Sequence, residues 1–493
     1  MKNQAKTVMI QGTGSGVGKS VLTAALCRIF VQDGYSTAPF KAQNMALNSF
    51  VTPSGGEIGR AQAVQAQAAR VVPTVDMNPV LIKPSSDTKA QIVVLGKPFK
   101  TQSASEYMGF RGRLFATVKR SLKRLRGVHD IVVIEGAGSP AEVNLRKNDI
   151  VNMSVALAAR SPVILTADID KGGALASIVG TLELLSASER KLVKGFIINK
   201  FRGDKRLFEG GVNFLEKRTG LPVLGVVPYF RDIEIPEEDA IPWEKRSSGS
   251  GPRRDIRISV ICLPHLSNFT DFDCFDREPD VELIYVRKSS ELLTSDAIII
   301  PGTKSTISDL VWLKRSGLAK MIMEAVRKKC HITGICGGYQ ILGEKISDPV
   351  RIESAKISVS GLSLLPVETT LEKQKQLRQV SARSVKTGLG VSGYEIHHGK
   401  TRFRGDCTPV FRTIPAGEFD GASNADGSVW GSYIHGVFDS PGFRRDFINA
   451  LRIKKGLEPL PVSEHDPDSE FDKLAEFVRE NIDMKTLYAI LKS

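Results

Sequence analysis

Cysteine is sparse in this chain and carries no pairing pattern. Cys27, Cys262, Cys274, Cys330, Cys336 and Cys407 are the six present in 493 residues, and no two form a CxxC arrangement. The density of a small disulfide scaffold is absent, so a reduced, cytoplasmic setting is expected. Long apolar runs are missing too. No stretch approaches the roughly 18 apolar residues that span a bilayer, and "MKNQAKTVMI" passes directly into a glycine loop without an apolar leader. No membrane association is expected. Aromatic residues make up only 7% of the chain. The formal charge of +14 raises the question of nucleic acid, but Lys and Arg are interspersed with acids, as in "KRSLKRLRGVHD". They form no polybasic block interleaved with aromatics, so no nucleic-acid partner is expected. An anionic small substrate accounts better for the excess.

What the chain does have is alternation. Its length allows two domains of about 50–250 residues each. "TVMIQG" reads as a strand and "SVLTAALCRIFVQDG" as the helix after it, with Leu22, Leu26, Ile29 and Phe30 on one face. "IVVIEG", "PVILTAD", "KGFIINK" and "LPVLGVVP" are β-branched runs suited to a parallel sheet covered on both sides. The series fades near residue 240. "EKRSSGSGPRRD", residues 244–255, has no periodicity and reads as a linker. A second series follows in "IRISVIC", "VELIYV", "DAIIIPG" and "HITGICG", with "PVFRTI" and "GSVWGSYIH" suggesting mixed sheet. The expected organisation is an α/β domain over 1–243, the linker, a second α/β domain over 256–440, and a helical tail over 441–493 packed on the core.

"GTGSGVGKS" follows a strand and precedes a helix, the context a phosphate loop requires. Gly12, Thr13, Gly16 and Gly18 would let successive amides curl around a phosphate. Lys19 would supply positive charge near the β and γ phosphates, and Ser20 an oxygen for Mg²⁺. Thr13 stands where the usual spacing has glycine, and Gly12 lies one place earlier. Glu135 and Asp168 sit at the ends of later strands, where a carboxylate can reach a metal held between phosphates; Asp170 is a rival for Asp168. Asn199 in "NKFRGD" offers donor and acceptor together, as a purine edge needs, or else caps a turn. "KAQNMALNS" concentrates Lys41, Gln43, Asn44 and Asn48, a mixture able to receive carboxylates and amides of a large polar substrate.

In "GICGGYQILG" a cysteine falls between glycines at a strand-to-helix turn. Such a turn holds sulfur proud of the backbone near free amides, which favours a thiolate and an oxyanion site. Cys336 is thus a candidate nucleophile, and Gln340 in the following helix a candidate substrate contact. The base would be His435 in "GSYIHGVFDS", with His397 and His398 in "SGYEIHHGK" as rivals.

These motifs, with "EGAGSPAEVN", "ADIDKGG", "IIIPGTKST" and "GLSLLPVETT" in the same order, closely resemble the cobyric acid synthase family across nearly the whole chain. The resemblance implies a dethiobiotin synthetase-like P-loop domain followed by a flavodoxin-like class I glutamine amidotransferase domain. It implies Cys336 as glutaminase nucleophile, His435 as its base, and ATP with Mg²⁺ as cofactors in the first domain. The implied partners are glutamine and an anionic corrinoid, and the resemblance leaves room for a homo-oligomer. The implied reaction converts carboxylates b, d, e and g of adenosylcobyrinic acid a,c-diamide to amides by way of acyl phosphates. Cobyrinic acid a,c-diamide synthase and a P-loop regulatory ATPase are the alternatives. Triad amidotransferases carry glutamate two places after the histidine; Val437 stands there, and Glu395 is the candidate to orient His435 instead.

Overall fold

The computed structural model describes residues 4–84, 89–103, 109–230, 254–354, 356–463 and 466–492. The expected linker lies outside the described residues, apart from Arg254 and Asp255. The chain forms two compact units. One comprises Met1–Ala46, Gly56–Asp239 and Asp466–Ser493; the other comprises Leu47–Gly55 and Ala240–His465.

The first unit is built on a six-stranded sheet in the order Val223–Pro228, Val193–Phe201, Val163–Asp168, Lys6–Gly12, Ile131–Glu135, Thr37–Phe40. Every pairing in it is parallel. Burial on both faces explains why its strands are near-continuous aliphatic runs rather than alternating ones. The helix Lys19–Gln32 follows the first strand, with Leu22, Leu26, Ile29 and Phe30 wholly buried. A four-stranded sheet adds Gln43–Met45, Val80–Pro84 and the hairpin Lys89–Val94 with Lys97–Ser103.

The expected single tail over 441–493 is divided. The helix Pro441–Lys454 belongs to the second unit, whereas Pro467–Asn481 and Met484–Lys492 belong to the first. Phe471, Leu474 and Val478 enter the same apolar cluster as Leu22 and Leu26. Arg28, fully buried, pairs with Asp468 at the start of that helix. Contiguous sequence here serves two cores because each helix carries its own apolar stripe.

The second unit has a six-stranded sheet in the order Val281–Val286, Ile256–Ile261, Ala297–Ile300, His331–Ile335, Val429–Ser432, Ala422–Ser423. It is parallel except at the last pair, which makes it mixed as expected. A second sheet is dominated by the long hairpin Val367–Ser384 with Gly390–Phe403. Sequence reading assigns no element to "VETTLEKQKQLRQVSARS", because its solvent face carries the charge that masks the strand. Among the described residues no helix is long and apolar enough to cross a membrane.

The helix Pro441–Lys454 is fixed by ions, not only by apolar contact. Arg444 donates to Glu278 at 2.6 Å, Arg445 bonds Glu278 and meets Asp280 at 3.0 Å, and Arg452 reaches Asp280 at 2.9 Å. Glu278 and Asp280 follow closely on the 3-10 turn Phe269–Phe275, so the network also anchors that turn. Breaking one partner strands a buried charge, at a cost of about 3–5 kcal/mol. Arg444→Met is expected to lose that much unfolding free energy in a urea titration. A loss below about 1 kcal/mol would show that the network contributes little.

Candidate active site

The phosphate loop opens where the first strand ends. Gly16 and Gly18 take φ of 69° and 93°, a conformation side chains resist. A Cβ on Gly18 would also lie 2.1 Å from the Asn199 amide nitrogen, so glycine is required twice over. Asn199 donates from Nδ2 to the Val17 carbonyl at 2.9 Å, tying the strand end Val193–Phe201 to the loop. Its Oδ1 is buried with no partner. An orphaned acceptor beside a phosphate loop fits the exocyclic amino group of a base. Lys19 Nζ rests on the carbonyls of Gly14 at 2.8 Å and Gly138 at 3.2 Å, inside the curl where phosphates would lie. The residues present therefore fit a nucleoside triphosphate.

Glu135 is the buried centre of this unit's polar cluster. Its carboxylate accepts from Lys41 at 2.7 Å, Ser20 at 2.8 Å and Gln65 at 2.5 Å. Burial works to raise its pKa, yet Lys41, Gln65 and Ser20 together hold it below the usual carboxylate range. Ser20 and Glu135 form a hard oxygen pair that fits Mg²⁺. Asp168 is not in that cluster. It faces Lys200 at 3.0 Å, and Asp170 pairs with Arg202 at 2.7 Å. Asp168 and Asp170 are thus engaged by cations one and three positions beyond Asn199, apart from the Ser20–Glu135 pair.

A cavity of about 380 Å³ extends from this cluster, lined among others by Lys19, Lys41, Gln43, Asn44 and Arg146. Asn44 is buried, its Nδ2 donating to Gln62 at 3.0 Å. Arg146, which also lines it, pairs with Glu189. Asn48 is absent from this cavity, because residues 47–55 belong to the second unit.

In the second unit Cys336 caps the helix Gly337–Leu342 with φ 53° and ψ −107°, a strained turn for a residue with a side chain. The flanking glycines make it geometrically feasible. A Cβ on Gly338 would lie 1.9 Å from the Ile300 carbonyl, so only glycine lets the helix press against the strand Ala297–Ile300. The amide nitrogen of Thr303 lies 3.1 Å from where a Gly337 Cβ would stand. The Gly302–Thr303 turn therefore overlies the Cys336 turn, and Asp309 fixes it by accepting from the Thr303 hydroxyl at 2.5 Å. Cys336 Sγ approaches the Ile396 carbonyl at 3.8 Å.

Of the three candidate histidines, His435 is the one whose charged form the Cys336 sulfur favours. His397 instead stacks on Tyr433, with ring centroids 3.7 Å apart, and its Nδ1 meets the Gly399 carbonyl at 2.7 Å. His398 turns to the Glu372 carbonyl. The group orienting His435 is Asp271, whose Oδ2 lies 2.6 Å from Nδ1. Glu395 does not serve: Arg378 holds its carboxylate at 2.8 and 3.1 Å. Burial opposes charge on the His435 ring, but Asp271 and the Cys336 sulfur overcome it and raise the pKa to about 10. Gln340 is buried, with Nε2 donating to Tyr433 at 3.2 Å, and Oε1 is its one atom without a partner. Asp271 carries no sequence signal, since 164 positions separate it from His435 and "NFTDFDCF" holds no recognisable motif. Gln65, inside an alanine-rich helix, is equally silent.

The family described as the CobQ/CobB/MinD/ParA nucleotide binding domain matches residues 8–243. That described as the CobB/CobQ-like glutamine amidotransferase domain matches residues 257–443. Fold, site and matches thus define a P-loop nucleotide-binding unit and a glutamine amidotransferase unit in one chain. The chain is 50% identical over 500 residues to the cobyric acid synthase of Dehalococcoides mccartyi (strain CBDB1), covering 99% of each. It is 50% identical over 505 residues to that of Thermoanaerobacter sp. (strain X514) and 48% over 517 to that of Sorangium cellulosum (strain So ce56), again covering 99% of each. The chain belongs to the cobyric acid synthase family, glutamine-hydrolysing ligases of cobalamin biosynthesis.

Replacing Asp271 by Asn removes the charge that orients and protonates His435. Glutamine hydrolysis is expected to lose about 10²–10⁴-fold in kcat. Because the folded value is raised, the ion pair stabilises the protein fully below about 6.5 and loses that contribution as pH climbs through about 10. The alkaline limb of the glutaminase pH profile should therefore move to lower pH in the Asp271→Asn protein. An unmoved limb would remove Asp271 from the role.

Proposed function

We propose that this chain converts the b, d, e and g carboxylates of adenosylcobyrinic acid a,c-diamide to amides, using ATP and ammonia released from glutamine. The observation that carries the reading is a cysteine on a strained turn, whose sulfur favours charge on a histidine that a buried carboxylate holds at 2.6 Å. This arrangement supports thioester chemistry. With the thiol proton already held on the His435 ring beside Asp271, Cys336 Sγ bonds to the side-chain amide carbon of glutamine. The amides of Gly337 and Thr303 are the candidate donors to the oxyanion. The imidazolium returns its proton to the departing nitrogen, so ammonia leaves neutral and the acyl group stays on sulfur. His435, now neutral, takes a proton from water as it adds to the thioester, releasing glutamate and restoring the thiol.

In the first unit a carboxylate must first become an electrophile, since its delocalised negative charge repels nucleophiles. Transfer of the γ-phosphoryl group of ATP to it gives an acyl phosphate, and ammonia displaces phosphate to leave the amide. Lys19 is placed to offset charge on the phosphoryl oxygens. Mg²⁺, when bound, would supply Lewis-acid charge there, with Ser20 and Glu135 as its protein oxygens. Asn199 Oδ1 would receive the base. Lys41, Gln43 and Asn44 would receive the corrinoid, and they line one cavity together with Lys19.

Incubation with ATP, Mg²⁺, glutamine and adenosylcobyrinic acid a,c-diamide is expected to give four successive acid-to-amide conversions by mass spectrometry. A product carrying fewer, with substrate in excess of none, would overturn the substrate assignment. In the Cys336→Ala protein ammonium should still drive product formation and glutamine should not. Lys19→Met is expected to lose synthesis from both nitrogen sources while leaving glutamine hydrolysis measurable; retained synthesis would remove Lys19 from the phosphoryl site.

A further inference from the structure

Residues Leu47–Gly55 are flanked in sequence by the first unit yet belong to the second. The stretch "KAQNMALNS" therefore serves two units, with Lys41–Ala46 in one and Leu47–Ser49 in the other. In the second unit these residues are fully engaged. Asn48, buried, accepts at Oδ1 from the Phe269 amide at 3.1 Å. The Ser49 amide donates to Asn268 Oδ1 at 2.8 Å, and the Ser49 carbonyl accepts from the Tyr394 hydroxyl at 2.9 Å. The Val51 carbonyl accepts from Gln379. The Val51 side chain is enclosed with Tyr394 and Ile396, and Phe50 lies with its ring centroid 5.6 Å from that of Tyr394.

Three of the residues engaged in this way, Asn268, Tyr394 and Ile396, adjoin Cys336, His435 or Asp271. Asn268 begins the turn that bears Asp271. Because its Oδ1 is taken by the Ser49 amide, its Nδ2 faces His435, 3.4 Å from both ring nitrogens. Tyr394 stacks on the imidazole, with centroids 5.3 Å apart and planes 14° from parallel. Its backbone exchanges hydrogen bonds with that of His435 at 2.9 and 3.2 Å. Ile396 presents its carbonyl to Cys336. An imidazole held only at Nδ1 is free to swing about that contact. A stacked ring on one face and an amide across the nitrogens remove the freedom.

We propose that Asn48–Val51 is a positioning element of the glutaminase site, fixing the His435 ring through Asn268 and Tyr394. Asn48 is then a support of the hydrolytic site and not a corrinoid contact. The proposal rests on the glutaminase reading of Cys336 and His435. Small displacements of a catalytic ring cost large factors in rate while leaving substrate affinity in place.

The test uses the full-length chain with Asn48→Ala, Asn48→Asp, Tyr394→Phe and Cys336→Ala. Glutamine hydrolysis and ammonium-driven corrinoid amidation are measured separately, each as kcat and KM. Asn48→Ala and Tyr394→Phe are expected to lower glutaminase kcat by about tenfold or more with the KM for glutamine within about twofold. Asn48→Asp keeps the acceptor for the Phe269 amide and should recover most of the loss. Ammonium-driven amidation should keep its kcat and its KM for corrinoid, which also reports that the variants fold. Unchanged glutaminase kcat in both variants overturns the proposal, as does an equal loss in the two activities. A raised KM for corrinoid in Asn48→Ala overturns it in favour of a substrate contact. Glutamine hydrolysis surviving in Cys336→Ala would instead defeat the underlying glutaminase reading. A dead Cys336→Ala beside intact Asn48→Ala and Tyr394→Phe proteins would defeat this inference alone.

Discussion

A carboxylate and an imidazole, both buried, stand 2.6 Å apart at Asp271 and His435, and the second unit is organised to keep them there. Burial by itself would strip the ring of its proton; the neighbouring charges reverse that outcome. Such a pair tolerates no slack, because losing either member leaves an uncompensated charge in a medium of low polarisability. The turn carrying Asp271 is accordingly braced on several sides. Asn268 and Phe269 are bonded to Asn48–Ser49, and the Glu278–Asp280 segment beyond it is clamped by Arg444, Arg445 and Arg452. The helix Pro441–Lys454 thereby braces the segment that follows the Asp271 turn.

The first unit solves a related problem with the opposite sign. Glu135 is a buried anion, kept charged by Lys41, Gln65 and Ser20. Lys41 follows a neighbouring parallel strand, Gln65 comes from a helix, and Ser20 begins the helix after the phosphate loop. The cluster gathers at the carboxyl ends of parallel strands, where an open α/β sheet presents its binding crevice. Polar residues at one end of an apolar sheet are thus made into a site by topology.

Parallel strands were legible because burial on both faces demands unbroken β-branched runs, and those runs stand out in "IVVIEG" or "KGFIINK". The phosphate loop and the turn at Cys336 were legible for a different reason: each needs glycine at fixed offsets within a few residues. The hairpin Val367–Ser384 with Gly390–Phe403 was hidden by charge on its solvent face. Glu395 looked the better partner for His435 because it lies in a motif, yet Arg378 already takes its carboxylate. The helical tail looked like one element because sequence cannot say which core an amphipathic helix will enter.

By itself, then, the sequence determined the local devices: the glycine-bent loop at Lys19, the elbow at Cys336, the aliphatic strands, and the two-part order of the chain. These are settled within short stretches, by steric permission and by periodicity. Only the tertiary structure decided which distant groups meet: Asp271 with His435, Gln65 with Glu135, Lys200 with Asp168, and Asn48 with the turn before Asp271. Those choices depend on strand order, and on the requirement that every buried charge find a partner. Neither is written in the spacing of residues along the chain.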